Sequence, residues 1–313
     1  MADFTGAAVD GLGLHDPGEY VKVQNIMRTY LDCMPCFIQQ TLDAARMAGG
    51  DDLLQARVLK HILLKINEMD ISQPPPLMGR TIHRTIREMV KDGDPYKQVK
   101  DRFNQFALEL YPALKQQVAS AGNRLETAAR IAIAGNIIDF GVQGDVSPQA
   151  VMTTIDEALA KPVFGDMAMF SRAVADAGTI LYLADNAGEI VFDRLLVEAL
   201  PEDRVTLAVR GAPVINDATI DDARTAGLDQ LVPVIDNGTD IPGTVLSECS
   251  EPFVNTFKSA DMIISKGQGN YETLSETTDH NNIFFLFKTK CPVAARDVGC
   301  EQGRFVLTRL AGK

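Results

Sequence analysis

The sequence has no tryptophan and only 5 cysteines in 313 residues. The missing tryptophan says nothing about function. Cysteines this sparse do not suggest a disulfide scaffold of the kind that small secreted domains rely on. Basic residues are also scarce: 30 Lys and Arg against 42 Asp and Glu give a formal net charge of −12. That balance argues against broad electrostatic binding to nucleic acid or to an anionic membrane. It leaves room for an anionic small substrate, because a bound cation reverses the local field. No apolar run approaches the ~20 residues needed to cross a bilayer. The amino terminus has no basic region followed by an apolar block. The cytoplasm is therefore the expected compartment.

The chain is rich in core-forming residues: 46% are apolar and 23% charged, so a globular protein with one large or two ordinary domains is expected. Two kinds of periodicity divide it near residue 165. In residues 1–165 apolar positions recur at helical spacing, over Tyr20–Ala48, Asp52–Met69, Met78–Val90, Pro95–Leu110, Leu125–Ile133 and Pro148–Leu159. Pro74-Pro75-Pro76 interrupts that pattern. In residues 166–313 short apolar runs alternate with helical segments. The expected strands are Thr179–Ala184, Val205–Val209, Leu231–Ile235, Met262–Ser265 and Ile283–Phe287. The expected helices are Glu189–Leu200, Asp217–Ala226, Glu251–Ser259 and Tyr271–Glu276. This alternation predicts a mostly parallel sheet flanked by helices, with the all-helical first half packed on it. No internal repeat or low-complexity segment is present.

The chemistry gathers where the predicted strands end. The run Leu181-Tyr-Leu-Ala-Asp-Asn-Ala-Gly-Glu-Ile190 passes from an apolar strand into Asp185-Asn186, then into an amphipathic helix. Taken alone, such a pair most often caps the helix. Three further strand ends change the balance. They carry Arg210 through Asn216-Asp217, Lys266-Gly-Gln-Gly-Asn-Tyr-Glu272, and Lys288-Thr-Lys290. In a parallel sheet these ends converge on one crevice. Carboxylates beside an amide offer hard oxygen ligands to a divalent ion, and lysines beside a glycine-rich turn suit an anion. The 266–270 run is neither a Walker motif nor a dinucleotide fingerprint, and by itself it reads as a strand-to-helix turn. Asn216-Asp217 by itself reads equally as a cap, and Lys288 with Lys290 as a solvated strand end. The argument rests on their convergence.

Gly135-Asn136-Ile-Ile-Asp139 ends a helix in the first half. It reads either as a helix stop followed by a cap or as Asn136 and Asp139 facing the same crevice. Cys33-x-x-Cys36 lacks a second pair, a histidine at finger spacing and a βαβ context. A structural or ligand-lining pair is the preferred reading, with metal or disulfide chemistry left open. His15, His61, His83 and His280 have no partnered spacing and are expected on the surface or in packing. No Gly-x-Ser-x-Gly elbow is present, which removes the esterase reading.

With these motifs in order along nearly the whole chain, the sequence resembles the damage-control metabolite phosphatases, a family long described as a domain of unknown function. The segments that carry the resemblance are Cys33-Met-Pro-Cys36, Ala134-Gly-Asn-Ile-Ile-Asp-Phe-Gly141, Asp185-Asn-Ala-Gly-Glu189, Lys266 to Glu272, and Lys288-Thr-Lys-Cys-Pro-Val293. The cysteine pair makes the chain similar to the stand-alone prokaryotic branch. The resemblance implies a helical amino-terminal region on a Rossmann-like α/β/α core, with one divalent ion (Mn, Co, Ni or Mg) held by Asp185, Asn186 and Asp217. It also implies phosphate and sugar contacts in Gly267–Tyr271 and a catalytic lysine at Lys290. The family's Arg-Thr-x-Lys motif is here Lys288-Thr289-Lys290, at a different spacing, so Lys288 is a second candidate for that role.

The combined reading is a metal-dependent phosphomonoester hydrolase acting on a small phosphorylated metabolite. Asp185 and Lys290 are the expected catalytic residues. Asn136, Asp139, Glu189, Lys266, Gly267, Gln268, Gly269, Asn270, Tyr271 and Lys288 are the expected substrate contacts. Water activated by the ion is the first choice of nucleophile, and the Asp185 carboxylate the second. The alternative is a non-catalytic binder of a sugar phosphate or nucleotide in the same crevice. A methyltransferase is a third option, which the absence of a glycine-rich loop after the first strand disfavours. No nucleic-acid or membrane partner is expected, and the sequence leaves the oligomeric state open.

Overall fold

The structure, a computed structural model, describes residues 27–136 and 148–309. Six helices come first: α1 Cys33–Met47, α2 Asp52–Glu68, α3 Pro75–Val90, α4 Lys97–Ser120, α5 Arg124–Gly135 and α6 Pro148–Ala160. Their boundaries follow local chemistry. Asp51 accepts from the Leu54 amide to cap α2, and Asn123 accepts from Glu126 to cap α5. The triple proline both interrupts and starts: Pro75 and Pro76 occupy the first turn of α3, where a missing N–H costs nothing. Helix α4 continues past the expected end at Leu110 with Pro112 inside it. An interior proline costs ~3 kcal/mol. Leu114 and Val118, both buried beyond it, oppose that cost.

The helical half is not one unit. Phe37, Ala44, Val58, Ile62, Ile82 and Ile86 form a separate core for α1–α3. The apolar residues of α4, α5 and α6 instead join the main core under the sheet.

The sheet has seven strands: β1 Phe164–Gly165, β2 Ile180–Leu183, β3 Val205–Val209, β4 Val234–Asp236, β5 Met262–Lys266, β6 Ile283–Lys288 and β7 Phe305–Arg309. Their spatial order is β1-β7-β6-β5-β2-β3-β4. Among the described strands only the β6–β7 pairing is antiparallel. Helices α7 Met167–Asp176, α8 Glu189–Val197, α9 Ile220–Thr225, α10 Glu251–Ser259, α11 Gln268–Leu274 and α12 Pro292–Val298 make up the flanks. Alternate strand residues serve opposite faces. Ile180 and Tyr182 join the core with α4, α5 and α8, while Leu181 and Leu183 join Phe253, Phe257, Tyr271 and Val293 on the other side. The result is a three-layer α/β/α core, as expected.

The edge elements β1, α7 and β7 were not expected from the sequence. β1 is two residues long and pairs with β7 at Phe164–Val306 and Gly165–Leu307. Among the described residues no helix is long and apolar enough to cross a membrane.

The strand order fixes where a ligand can enter. From β2 the chain winds outward through β3 and β4, then crosses back to β5 and winds the other way. The winding reverses between β2 and β5. Their carboxyl ends therefore open a crevice, the place where open α/β sheets bind ligands.

Candidate active site

Two loops bear on this crevice from β2 and β3, and two turns from β5 and β6. Asp185 and Asn186 follow β2, and Asn186 forms an isolated antiparallel bridge with Asp217. Backbone bonds make the bridge: Ala187 N–H donates to Asn216 O at 2.7 Å and Ala218 N–H to Asp185 O at 2.8 Å. Asp217 was expected to open a helix. Instead α9 starts at Ile220, with Thr219 and Asp222 forming its capping box, because the 216–218 backbone is committed to the bridge. Ile215, just before it, has φ of 43°. A β-branched residue in that region is strained, and such strain clusters at functional loops.

Asp185 is almost fully buried and surrounded by polar groups. Its Oδ2 accepts from Asn136 Nδ2 at 3.1 Å and Asn186 Nδ2 at 2.8 Å. The same two amides donate to Glu189 Oε2, at 2.9 and 2.8 Å. Burial pushes the Asp185 pKa well above the ordinary carboxylate range, and the Glu189 and Asp217 charges add to the rise; Lys290 and Arg210 oppose it. Three carboxylates, Asp185, Glu189 and Asp217, thus act on one another beside Arg210 and Lys290. Among the described residues the fully buried Asn136 Oδ1 has no hydrogen-bond partner. Asp185 and Asp217 with amide oxygens close by offer the hard oxygen ligands that suit a divalent cation. Among the described residues no three His, Cys, Asp or Glu side chains are grouped to hold a metal, so a site here depends on the amide of Asn186 beside the two aspartates.

Arg210 was named at its strand end but given no role there. Its guanidinium reaches Asp217 Oδ2 at 2.6 Å and Asn270 Oδ1 at 3.2 Å, and lies 3.7 Å from Asp185 Oδ1. It ties the ends of β2 and β3 to α11. The available signal was a lone cation directly after an apolar strand.

The expected substrate contacts separate into two groups. Lys266, Glu189 and Asn270 are fully buried beneath the crevice. Lys266 Nζ donates to Glu189 Oε1 at 2.6 Å, Asp193 Oδ1 at 2.5 Å and Ala132 O at 3.0 Å. Burial disfavours this ammonium, but Asp193 and Glu189 outweigh it and hold the lysine pKa above its usual value. Lys266 is thus placed otherwise than expected: its three donors are committed to protein acceptors. Asn270 accepts from Arg210 and Thr244 and donates to Ala184 O and Lys266 O.

In the second group Gln268, Gly269 and Lys288 are half-buried, while Gly267 and Tyr271 are buried. Gly267 has φ of 82°, and Gln268 Oε1 receives the Lys290 backbone N–H at 2.9 Å. Gly269 packs so closely on Pro242 that a Cβ would overlap the Pro242 carbonyl. Lys288 lies over the Phe305 ring at 5.2 Å. Tyr271 packs on Phe285 and Phe287 and donates its hydroxyl to Asp297 at 2.6 Å. Asp139 lies outside the described residues.

Gln268 Nε2 also donates to Glu272 at 2.7 Å and approaches Cys291 Sγ at 3.5 Å. All five cysteines are free thiols. Burial, then neighbouring groups including Glu272 and Cys291, pushes the Cys33 and Cys36 thiols up. A separate groove lined by Met169, Arg172, Asp261 and Arg309 lies at the amino ends of β5 and β6, away from the crevice, and contains none of these side chains.

An open α/β sheet with acidic loops at its switch point defines a broad class of ligand-binding and catalytic proteins. Comparison with known proteins narrows it. The family model for the damage-control phosphatase ARMT1-like domain matches residues 29–306. A damage-control phosphatase from Pyrococcus horikoshii is 34% identical over 288 residues, covering 90% of this chain and 98% of that protein. One from Archaeoglobus fulgidus is 32% identical, covering 88% and 96%. The crystal structure of a DUF89 family protein from Pyrococcus horikoshii superposes with a TM-score of 0.83 at 32% identity, covering 91% of this chain and all of that one. The chain belongs to the damage-control phosphatase ARMT1-like family.

Proposed function

We propose that this chain is a divalent-metal-dependent phosphatase that hydrolyses a small phosphomonoester, a sugar phosphate or a damaged phospho-metabolite. Its family supports phosphatase activity on damaged metabolites, and two relatives carry the name damage-control phosphatase. The observation that carries the metal reading is the Asn186–Asp217 bridge, which brings two carboxylates and an amide from adjacent strands to the switch point. Asp185, Asn186 and Asp217 would hold the ion. Such an ion supplies Lewis-acid polarisation of the phosphoryl group and acidifies a water.

The chain's own residues do the rest. Arg210 and the amides of Asn136 and Asn186 fix the carboxylates in place. Glycine at 267 and 269 lets the turn after β5 pack directly against Asp185 and the Pro242 carbonyl. Lys290, held through its backbone by Gln268, takes up charge on a phosphate oxygen, a stabilisation that strengthens as the bond to the leaving group breaks. Water is the assigned nucleophile, with the Asp185 carboxylate as its rival.

The test is phosphate release from a phosphometabolite panel with manganese, cobalt, nickel and magnesium supplied in turn. Turnover that needs added cation, vanishes with chelator and is lost in Asp185→Ala is the expected result. Ligand binding without phosphate release under every metal would overturn the hydrolase reading in favour of a binding protein.

A further inference from the structure

We infer that Asn104, on α4 of the helical half, is a positioning residue that clamps the two ligand-bearing loops together. It is fully buried, and both ends of its amide are used across the chain. Its Oδ1 accepts from the Gly188 backbone N–H at 2.7 Å, two residues beyond Asn186. Its Nδ2 donates to Asp222 Oδ1 at 2.8 Å. The other oxygen of Asp222 accepts from both the amide and the hydroxyl of Thr219 at 2.8 Å, two residues beyond Asp217. One helical turn before Asn104, Lys100 Nζ lies 3.2 Å from Asp222 Oδ2 and 3.1 Å from Asp94, so Asp222 has little freedom to move away.

The Asn186–Asp217 bridge is only one residue pair long. By itself so short a ladder would fray, because few bonds hold its ends. Asn104 closes the ring from outside, linking the residue that follows the β2 loop to the aspartate that caps the helix following the β3 loop. An amide suits this position because it accepts from a backbone N–H and donates to a carboxylate at once. Neither a carboxylate nor an alkyl group does both. The helical half thereby holds the α/β loops at the spacing on which the proposed ligand set depends.

The inference rests on the proposed metal site only in one arm of its test. Asn104→Ala, Asn104→Asp and a control, Val118→Ala, are compared with the parent. Val118 is buried on the same helix about 20 Å further along. Amide hydrogen exchange in metal-free protein reads the clamp directly, and a manganese isotherm reads its consequence. In Asn104→Ala, protection of peptides covering 184–188 and 216–219 should fall at least tenfold, with manganese affinity weakened about tenfold. Asn104→Asp keeps the acceptor for Gly188, so it should retain protection at 184–188 and lose it at 216–219. Val118→Ala should lower the unfolding midpoint and change neither. Parental protection of both peptides in Asn104→Ala, or loss of the same protection in Val118→Ala, would overturn the clamp. A parent that binds no manganese while Asn104→Ala still loses protection would remove the metal reading and leave the clamp standing.

Discussion

Gly267 and Asp185 occupy the same space on opposite sides of the switch point: a Cβ on Gly267 would lie 2.6 Å from Asp185 Oδ1 and closer still to Oδ2. The glycine at the end of β5 is therefore what allows the aspartate at the end of β2 to sit where it does. Its φ of 82° adds a second reason for glycine, since an L-residue there costs about 1 kcal/mol or more. In Gly267→Ala the Asp185 carboxylate has to leave its place between Asn136 and Asn186. Metal affinity and turnover should fall together, by about a hundredfold or more, while urea denaturation shows a loss of only ~1–3 kcal/mol. A variant that is destabilised yet binds metal like the parent would show that Asp185 is not the ligand.

Lys266 and Lys290 looked equivalent in sequence, each a lysine following an apolar strand, and the structure separates them. Lys266 is the shared cation of Glu189 and Asp193, all three fully buried. Lys266→Met should leave two buried carboxylates without their partner and cost ~3–5 kcal/mol. Lys290 is part-buried, and its backbone N–H donates to Gln268 Oε1, a bond that a side-chain change keeps. Lys290→Met should change stability by less than ~1 kcal/mol and lower turnover roughly tenfold to a thousandfold. Chemical denaturation alongside phosphate release separates the two effects. If Lys290→Met keeps full turnover while Lys288→Met loses it, the catalytic role belongs to Lys288.

How much was legible depends on the range of the forces involved. β3 and α10 fall where their patterns end, at Val205–Val209 and Glu251–Ser259, because continuous apolar runs and local breakers are nearest-neighbour signals. β1 and β7 escaped because a two-residue strand has no period, and Phe305–Arg309 is a short run whose burial does not alternate. The acidic loops could be placed at the crevice from the sequence because they follow apolar strands. The roles of Lys266 and Asn104 were not, since their partners lie 73–77 and 84–118 residues away in sequence. Asp217 shows the same limit: the helix expected from it is displaced to Ile220 by a bridge to a strand end 31 residues earlier.

The cysteine pair should contribute packing more than chemistry. Cys33 is buried in the α1–α3 core and Cys36 is exposed. Both thiols are pushed up, first by burial and then by neighbouring groups, so neither is an activated thiolate near neutral pH. Cys33→Ser with Cys36→Ser should cost ~1–3 kcal/mol, mostly from the hydroxyl placed at 33, and should preserve turnover. Stoichiometric zinc in the parent that vanishes in the double variant would contradict this assignment.

His83 gives the fold a pH dependence of defined sign. It is fully buried on α3; Nδ1 lies 2.7 Å from the Tyr96 hydroxyl, and Nε2 has no partner. Burial, with the Arg87 charge adding to it and Asp240 opposing it, depresses its pKa from 6.5 to about 3. Below pH 6.5 the unfolded chain binds a proton that the folded chain refuses. The stability contributed by the neutral imidazole is therefore complete above pH 6.5 and is lost as pH falls toward 3, at about 1.4 kcal/mol per unit. Glu272 works in the opposite direction. Burial pushes its pKa up to about 7, so between pH 7 and 4.5 the folded state gains relative stability as that carboxyl takes up a proton. The raw pH profile mixes the two, and the comparison has to be made between variants. His83→Gln keeps a polar partner for Tyr96 and removes the titration. Urea denaturation between pH 7 and pH 4.5 should show the parent losing about 2–3 kcal/mol relative to His83→Gln across that range. Parallel stability profiles for the two proteins would mean that His83 is protonated without cost, and its burial would have to be breached in solution.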